Sequence, residues 1–137
     1  MYPATPTPLL ASLLVMAGGA IGALARYQLG RAIGAAVGPA QAGAFFWATL
    51  AINVIGCGAM GLLFGWISRS GGSAEGLRLF VGVGLLGGFT TFSAFGLEMM
   101  LLIERGATGL ALFYAGFSVA AGLAALWLGL VLVRGLA

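Results

Sequence analysis

Polar side chains are scarce in this chain, and several of them recur at helical spacing inside apolar runs. Thr49 and Asn53 are four residues apart. So are Tyr114 and Ser118, and Gly122 continues that second row. Residues four apart share one face of an α-helix. Asn53 is the only asparagine, and its amide offers two N–H donors and an acceptor. The Thr–Asn face reads equally as an interhelical hydrogen bond or as a donor lining a pore. Tyr114 could anchor at a membrane interface and Ser118 could bond back to its own helix, but together they also form a line of hydroxyls. A third group is the stretch GGFTTFSAFG, Gly87 to Gly96. Each glycine weakens a helix by roughly 1 kcal/mol relative to alanine, and Thr90 and Thr91 supply N-cap chemistry for a fresh helix start. A helix broken there leaves bare carbonyls on one half and bare N–H groups on the other. Carbonyl ends suit cations and N-terminal ends suit anions. Phe92 and Phe95, three apart, share a face, with Glu98 three further on. The edge of a phenyl ring is positive, so rings presented edge-on can hold an anion. On spacing alone the stripe reads first as packing.

The residue inventory excludes much else. The chain has no histidine, aspartate or lysine, so a Ser-His-Asp triad and a histidine metal site are ruled out, and no enzyme chemistry is expected. The single Cys57 excludes an intrachain disulfide and a multi-cysteine metal site; in its apolar run it reads as a small packing residue. Six scattered arginines form no basic patch, so no nucleic-acid partner is expected. GVGLLG, Gly82 to Gly87, matches a dinucleotide-binding pattern, with Glu104 about twenty residues on. That pattern needs a strand before it and a βαβ unit around it, and here it lies in a glycine-rich apolar run.

The elements that must position these residues follow from composition. Of 137 residues, 61% are hydrophobic and 7% charged, and mean hydropathy is +1.12. Soluble domains carry roughly 25% charge. The expected class is an all-α integral membrane protein, a single domain over residues 1–137. A span needs about 20 apolar residues. Four qualify: residues 9–29, 45–67, 77–103 and 110–133, the third of them a broken helix. Turns fall at Gly38-Pro39, at SRSGGSAEG (Ser68 to Gly76) and at ERGATG (Glu104 to Gly109). Prolines 3, 6 and 8 make an extended lead-in, and with no basic residues before the first apolar run a cleaved signal peptide is not expected. Gly18, Gly22, Gly30, Gly34 and Gly38 recur at multiples of four with Arg26 in the same row, and Gly61 and Gly65 repeat the spacing. Small residues so spaced let helices approach closely in lipid.

Orientation follows the arginines of short loops. Arg69, Arg78 and Arg134 fall on one side, and Arg26, Arg31 and Arg105 on the other, so the bias is three minus three, zero. A chain without bias is expected to insert both ways and to assemble as an antiparallel, dual-topology homodimer.

The residues singled out resemble the small fluoride channel family known as CrcB or Fluc. Its motif GGxTTFSTF appears here as GGFTTFSAF. GGAIGALARY (Gly18 to Tyr27) resembles the family's first helix, ATLAIN (Ala48 to Asn53) its GTLxxN, and YAGFS (Tyr114 to Ser118) its YAGxS. The resemblance covers essentially the whole chain, in order. It implies a dual-topology homodimer in the cell (inner) membrane, with two antiparallel pores along the subunit interface. It implies a structural sodium ion on the twofold axis, held by backbone carbonyls that map to Gly87 and Thr90. Phe92 and Phe95 map to rings lining the fluoride path, Asn53 to the second-helix asparagine, and Thr49, Tyr114 and Ser118 to a polar track. Arg26 maps to an arginine near a pore entrance. Glu98 matches a family glutamate, and with Thr91 and Ser93 it is assigned a modulatory role. The implied activity is passive efflux of fluoride from the cytoplasm, and so fluoride resistance.

Two departures remove hydroxyls: Ala94 stands where the family has threonine between the phenylalanines, and Gly122 where serine or threonine is common. Neither is expected to change the ion. Fluoride is small and strongly hydrated, and hydroxyls, an amide and ring edges are the donors this chain has to replace its water. Arg26 could draw anions inward. The leading alternative is a proton-coupled multidrug-type exporter, which requires a buried carboxylate, typically in the first helix. The first span has none, and Glu98 is the only acid well inside a span. A structural membrane subunit would explain the glycines but not the Thr–Asn and Tyr–Ser faces.

Overall fold

The computed structural model describes residues 6–38, 44–69 and 74–135. Pro3 of the lead-in, Pro39 of the first turn and residues 70–73 of the second lie outside the described residues. The described chain is helical, and four stretches are long and apolar enough to cross a membrane. Helix α1 is Pro8–Val37 and α2 is Ala44–Arg69. The third span, Glu75–Glu104, divides into α3, residues 75–89, and α4, Ser93–Glu104. Helix α5 is Thr108–Gly135.

Local chemistry sets the ends. Thr7 caps α1 by accepting the Leu10 N–H, and proline opens the first turn, where its missing N–H costs nothing. The helix then continues to Val37, past the Leu29 end expected from hydropathy, so Arg31 is a helical residue rather than a loop residue and Arg26 lies well inside the helix. It stops at Gly38, whose φ of 83° is open to glycine without a Cβ penalty. The α4–α5 turn is equally local. Gly106 has φ 75°, its N–H bonds Ile103 O, and the Ala107 N–H bonds Leu102 O, the paired closure of a left-handed helix stop. Arg69, at the end of α2, donates to the Val133 carbonyl in the last turn of α5 at 2.8 Å.

Glycines decide which helices pair. Helix α2 packs along α5, and α1 along α3. In the first pair a Cβ on Gly129 would lie 2.5 Å from the Gly58 carbonyl, and one on Gly65 2.9 Å from Val133 Cβ. In the second, a Cβ on Gly84 would lie 2.9 Å from the Val15 carbonyl and one on Gly88 2.6 Å from that of Gly19. At three of the four, backbone lies against backbone, the dense contact that holds helices together in lipid. Only the first half of the α1 glycine row is used this way. Gly18 and Gly22 abut α3, whereas Gly34 has open space beside it.

Much of α3 is wound as a wide π-helix over Arg78–Leu86. The Gly87 N–H reaches back to the Gly82 carbonyl, five residues away. Wide turns of this kind are uncommon and bend a helix. The break itself falls later than the glycines suggest. Gly87–Phe89 is still helical, and the chain leaves the helix at Thr90, with φ −78° and ψ 160°. Gly88 is needed for the approach to α1, not for an unusual φ. The interruption is made by Thr90, Thr91 and Phe92.

Candidate functional site

The interruption is organised by hydrogen bonds from three directions. Thr90 closes α3: its N–H and its hydroxyl both donate to the Leu86 carbonyl, at 3.0 and 2.9 Å. Thr91 opens α4: its hydroxyl accepts the Ala94 N–H at 3.3 Å and lies 3.4 Å from Ser93 Oγ. Of the two threonines, then, only Thr91 caps the new helix. Asn53 clamps the bend. Its Nδ2 donates to the Thr91 carbonyl at 3.0 Å, and its Oδ1 accepts the Thr91 N–H at 2.8 Å. The side-chain amide thus acts as a neighbouring peptide unit would, and one of its two N–H donors is left over.

These bonds decide which carbonyls stay bare. In an unbroken helix the Thr91 N–H would go to Gly87 and the Ala94 N–H to Thr90. Both are diverted, the first to Asn53 and the second to the Thr91 hydroxyl. The carbonyls of Gly87 and Thr90 lose their helical partners, and Gly87 is exposed on the surface of this single copy. Hard, neutral oxygens are what a sodium-like cation takes, so the two residues fit that ion.

Beside the break lies a cleft of about 410 Å³. Its walls include Asn53, Thr90, Thr91, Phe92, Phe95 and Ser118. Helices α2, α4 and α5 and the break supply this lining; α1 contributes none of it. Phe92 is 83% exposed, and its ring centroid lies 5.8 Å from that of Phe95, tilted by 40°. Ser118 Oγ is buried with no hydrogen-bond partner among the described residues.

Thr49, Tyr114 and Glu98 stand apart from that lining. Thr49 Oγ1 donates to Glu98 Oε1 at 2.5 Å, and the Tyr114 hydroxyl donates to Glu98 Oε2 at 2.7 Å. Such lengths are typical of hydroxyls on a carboxylate. Glu98 is 4% exposed and Tyr114 3%, so the cluster is closed to the surroundings. It joins the cleft through Phe95, whose ring lies 5.2 Å from that of Tyr114. Tyr114 in turn meets Phe46, with centroids 5.4 Å apart.

The family described as CrcB-like protein, Camphor Resistance (CrcB), matches residues 13–130. This chain belongs to the CrcB family. Among curated relatives, a protein of Novosphingobium aromaticivorans is 54% identical over 127 residues, 93% of this chain and 98% of that one. One of Sphingopyxis alaskensis is 51% identical over 120 residues, 88% and 92% of the two chains. One of Erythrobacter litoralis is 47% identical over 131 residues, 95% and 96%. Each of the three is named fluoride-specific ion channel FluC.

In this CrcB protein the cleft also holds residues that sequence reasoning passed over. Cys57 lines it, and a Cβ at Gly122 would come within 3.3 Å of the Cys57 sulfur. The thiol fills space that a longer side chain at 122 would need, which is how the structure accommodates the missing hydroxyl there. Ala94 contributes its backbone N–H to the Thr91 cap. Phe46 could have been found only as an aromatic one turn before Thr49 and Leu50, a weak signal in a chain this rich in rings. Arg26 is absent from the lining, and its Nε donates to the Gly88 carbonyl at 3.1 Å.

Proposed function

We propose that this protein is a fluoride-selective channel that gives passive efflux of fluoride across the cell (inner) membrane, and so fluoride resistance. The observation that carries this reading is the wall of the cleft: a spare amide N–H on Asn53 and the rings of Phe92 and Phe95 on one surface, with Ser118 in the same lining, its hydroxyl buried and without a hydrogen-bond partner among the described residues. Those are the donors an anion needs in place of water, with no fixed positive charge among them to trap it. The relatives' name, fluoride-specific ion channel, supports the choice of ion. The exporter alternative requires a buried carboxylate, typically in the first span, and α1 contains no acid, while Glu98 in the third span is closed off by Thr49 and Tyr114.

The working unit is an antiparallel, dual-topology homodimer. The balanced arginines support insertion both ways. Gly87 and Phe92 are exposed in a single copy, and a second copy laid across the break would cover them. The bare carbonyls of Gly87 and Thr90 from both copies would then hold a structural sodium ion. Bound there, the ion offsets the negative ends of two interrupted helices. Phe92 and Phe95 contact fluoride by their edges, Asn53 and Ser118 donate to it, and Thr49, Tyr114 and Glu98 back the path behind Phe95. Thr91 and Ser93 tune the start of α4.

The deciding measurement is fluoride efflux from liposomes carrying the purified protein, read with a fluoride electrode. Flux above empty liposomes is expected, with a loss of roughly fivefold in Phe92→Ile or Phe95→Ile if each ring edge supplies about 1 kcal/mol to the ion. No flux from a folded dimer rejects the reading, and unchanged flux in both variants reduces the rings to packing. Replacing sodium by a larger cation is expected to weaken the dimer or the flux.

A further inference from the structure

Arg26 sits in the same row of α1 as Gly18 and Gly22, each four residues from the next. Added Cβ atoms on the two glycines would strike the Phe80 and Leu85 carbonyls, so this face of α1 lies directly on α3. One turn beyond Gly22 the face reaches the C-terminal end of α3. There a glycine gives way to the longest cationic side chain available, and Arg26 Nε donates to Gly88 O.

The Gly88 carbonyl needs a donor because the chain has turned away. Its helical partner would be the Phe92 N–H, which lies beyond the extended Thr90. Two carbonyls of the last α3 turn are therefore capped from outside the helical ladder, Leu86 by the Thr90 hydroxyl and Gly88 by Arg26, and Asn53 caps Thr91 across the break. A guanidinium at a helix C-terminus also meets the negative end of the helix dipole. By contrast, no residue of α1 lines the cleft, so Arg26 is poorly placed to attract an ion into it.

We propose that Arg26 is a positioning residue for the break. By fixing Gly88 it sets the register of the last α3 turn, and so holds the neighbouring Gly87 carbonyl, which keeps no helical partner, in place at the break. It does not serve as an electrostatic lure at a pore entrance. The proposal rests on the channel reading only for the purpose of the break; the capping role can be measured without fluoride.

The test is amide hydrogen exchange on the full-length protein in lipid nanodiscs, followed by mass spectrometry, for wild type and Arg26→Lys, Arg26→Gln and Arg26→Leu. The Thr90 and Thr91 amides are expected to exchange about tenfold faster in the Leu and Gln variants, as one local charge-assisted bond is lost. The α2–α5 pair is expected to keep its protection, and Lys, which retains a charged donor, to restore wild-type exchange. In parallel, fluoride flux of wild type and Arg26→Gln is compared at low and high ionic strength. A capping role gives the same flux ratio at both, because the bond is within the protein, whereas an entrance charge is screened by salt. Unchanged exchange in Gln and Leu overturns the proposal, and so does a flux deficit that shrinks as salt rises. If the Leu variant does not fold, the Gln and Lys arms decide. If wild type carries no fluoride, the exchange result still stands or falls alone.

Discussion

Two polar clusters lie on either side of Phe95, and they differ in what they have left to give. On the closed side, Thr49 and Tyr114 commit both hydroxyl protons to Glu98, which is almost fully buried. On the open side, Asn53 keeps one amide proton in hand, and the buried Ser118 hydroxyl has no hydrogen-bond partner among the described residues. The residue types are much the same, so composition does not separate them. The difference is the carboxylate. A buried carboxyl group takes every donor within reach, because leaving either of its oxygens unpaired in a medium this apolar is costly. Where no carboxylate is present, donors stay available to a passing ion. The closed cluster is therefore chiefly a fixed support for Phe95, and the open one the surface that can substitute for water.

Three substitutions press on that contrast. The largest effect is expected from Asn53→Ala, which strips both the N–H and the carbonyl of Thr91 at once. Each abandoned group costs about 1–3 kcal/mol, so the variant is expected to unfold well below wild type in a thermal melt in detergent, and to lose fluoride flux with it. If Asn53→Ala melts like wild type, the clamp is not holding the break. Next is Tyr114→Phe, which keeps the ring on Phe95 but leaves Glu98 with one hydroxyl. Leaving a buried carboxyl oxygen without its donor costs about 1–3 kcal/mol, and the same melt reads it. No change in melting would mean that the carboxylate is not drawing on Tyr114. The smallest effect on stability is expected from Ser118→Ala. Removing a buried hydroxyl that has no partner leaves stability equal or up to about 1 kcal/mol higher, while fluoride flux falls. Reduced stability with flux intact would move Ser118 to the supporting side.

How much of this could be read from the residues varies by feature. The spans were legible because apolar length has a fixed requirement in a bilayer, although hydropathy placed the end of α1 at Leu29 rather than Val37. It counts residues a bilayer would accept and is blind to a polar one, such as Arg31, that the helix itself carries. The motif GGFTTFSAF marked the right neighbourhood for the break but not the right residues. Glycine pairs suggest weakness, whereas here Gly88 is required because the backbone of α1 occupies the place of its side chain. Asn53 was left open between a structural bond and a pore donor, and it turns out to make the structural bond with two of its groups, with one N–H left over. Cys57 and Phe46 gave no usable signal, since neither differs from ordinary packing until its neighbours are known.

The sequence by itself determined a multi-pass helical membrane protein of the CrcB family, because hydrophobic length, the near absence of charge and four local motifs are properties of contiguous residues. Only the tertiary structure decided which donors are spent and which are spare. That outcome depends on pairs such as Thr49 with Glu98, Asn53 with Thr91 and Arg26 with Gly88, which lie 49, 38 and 62 residues apart along the chain. Spacing can place a hydroxyl on a helix face, but it cannot say what that face meets. In a medium with almost no water to supply a substitute partner, the neighbour across the contact fixes whether a polar group is structure or path.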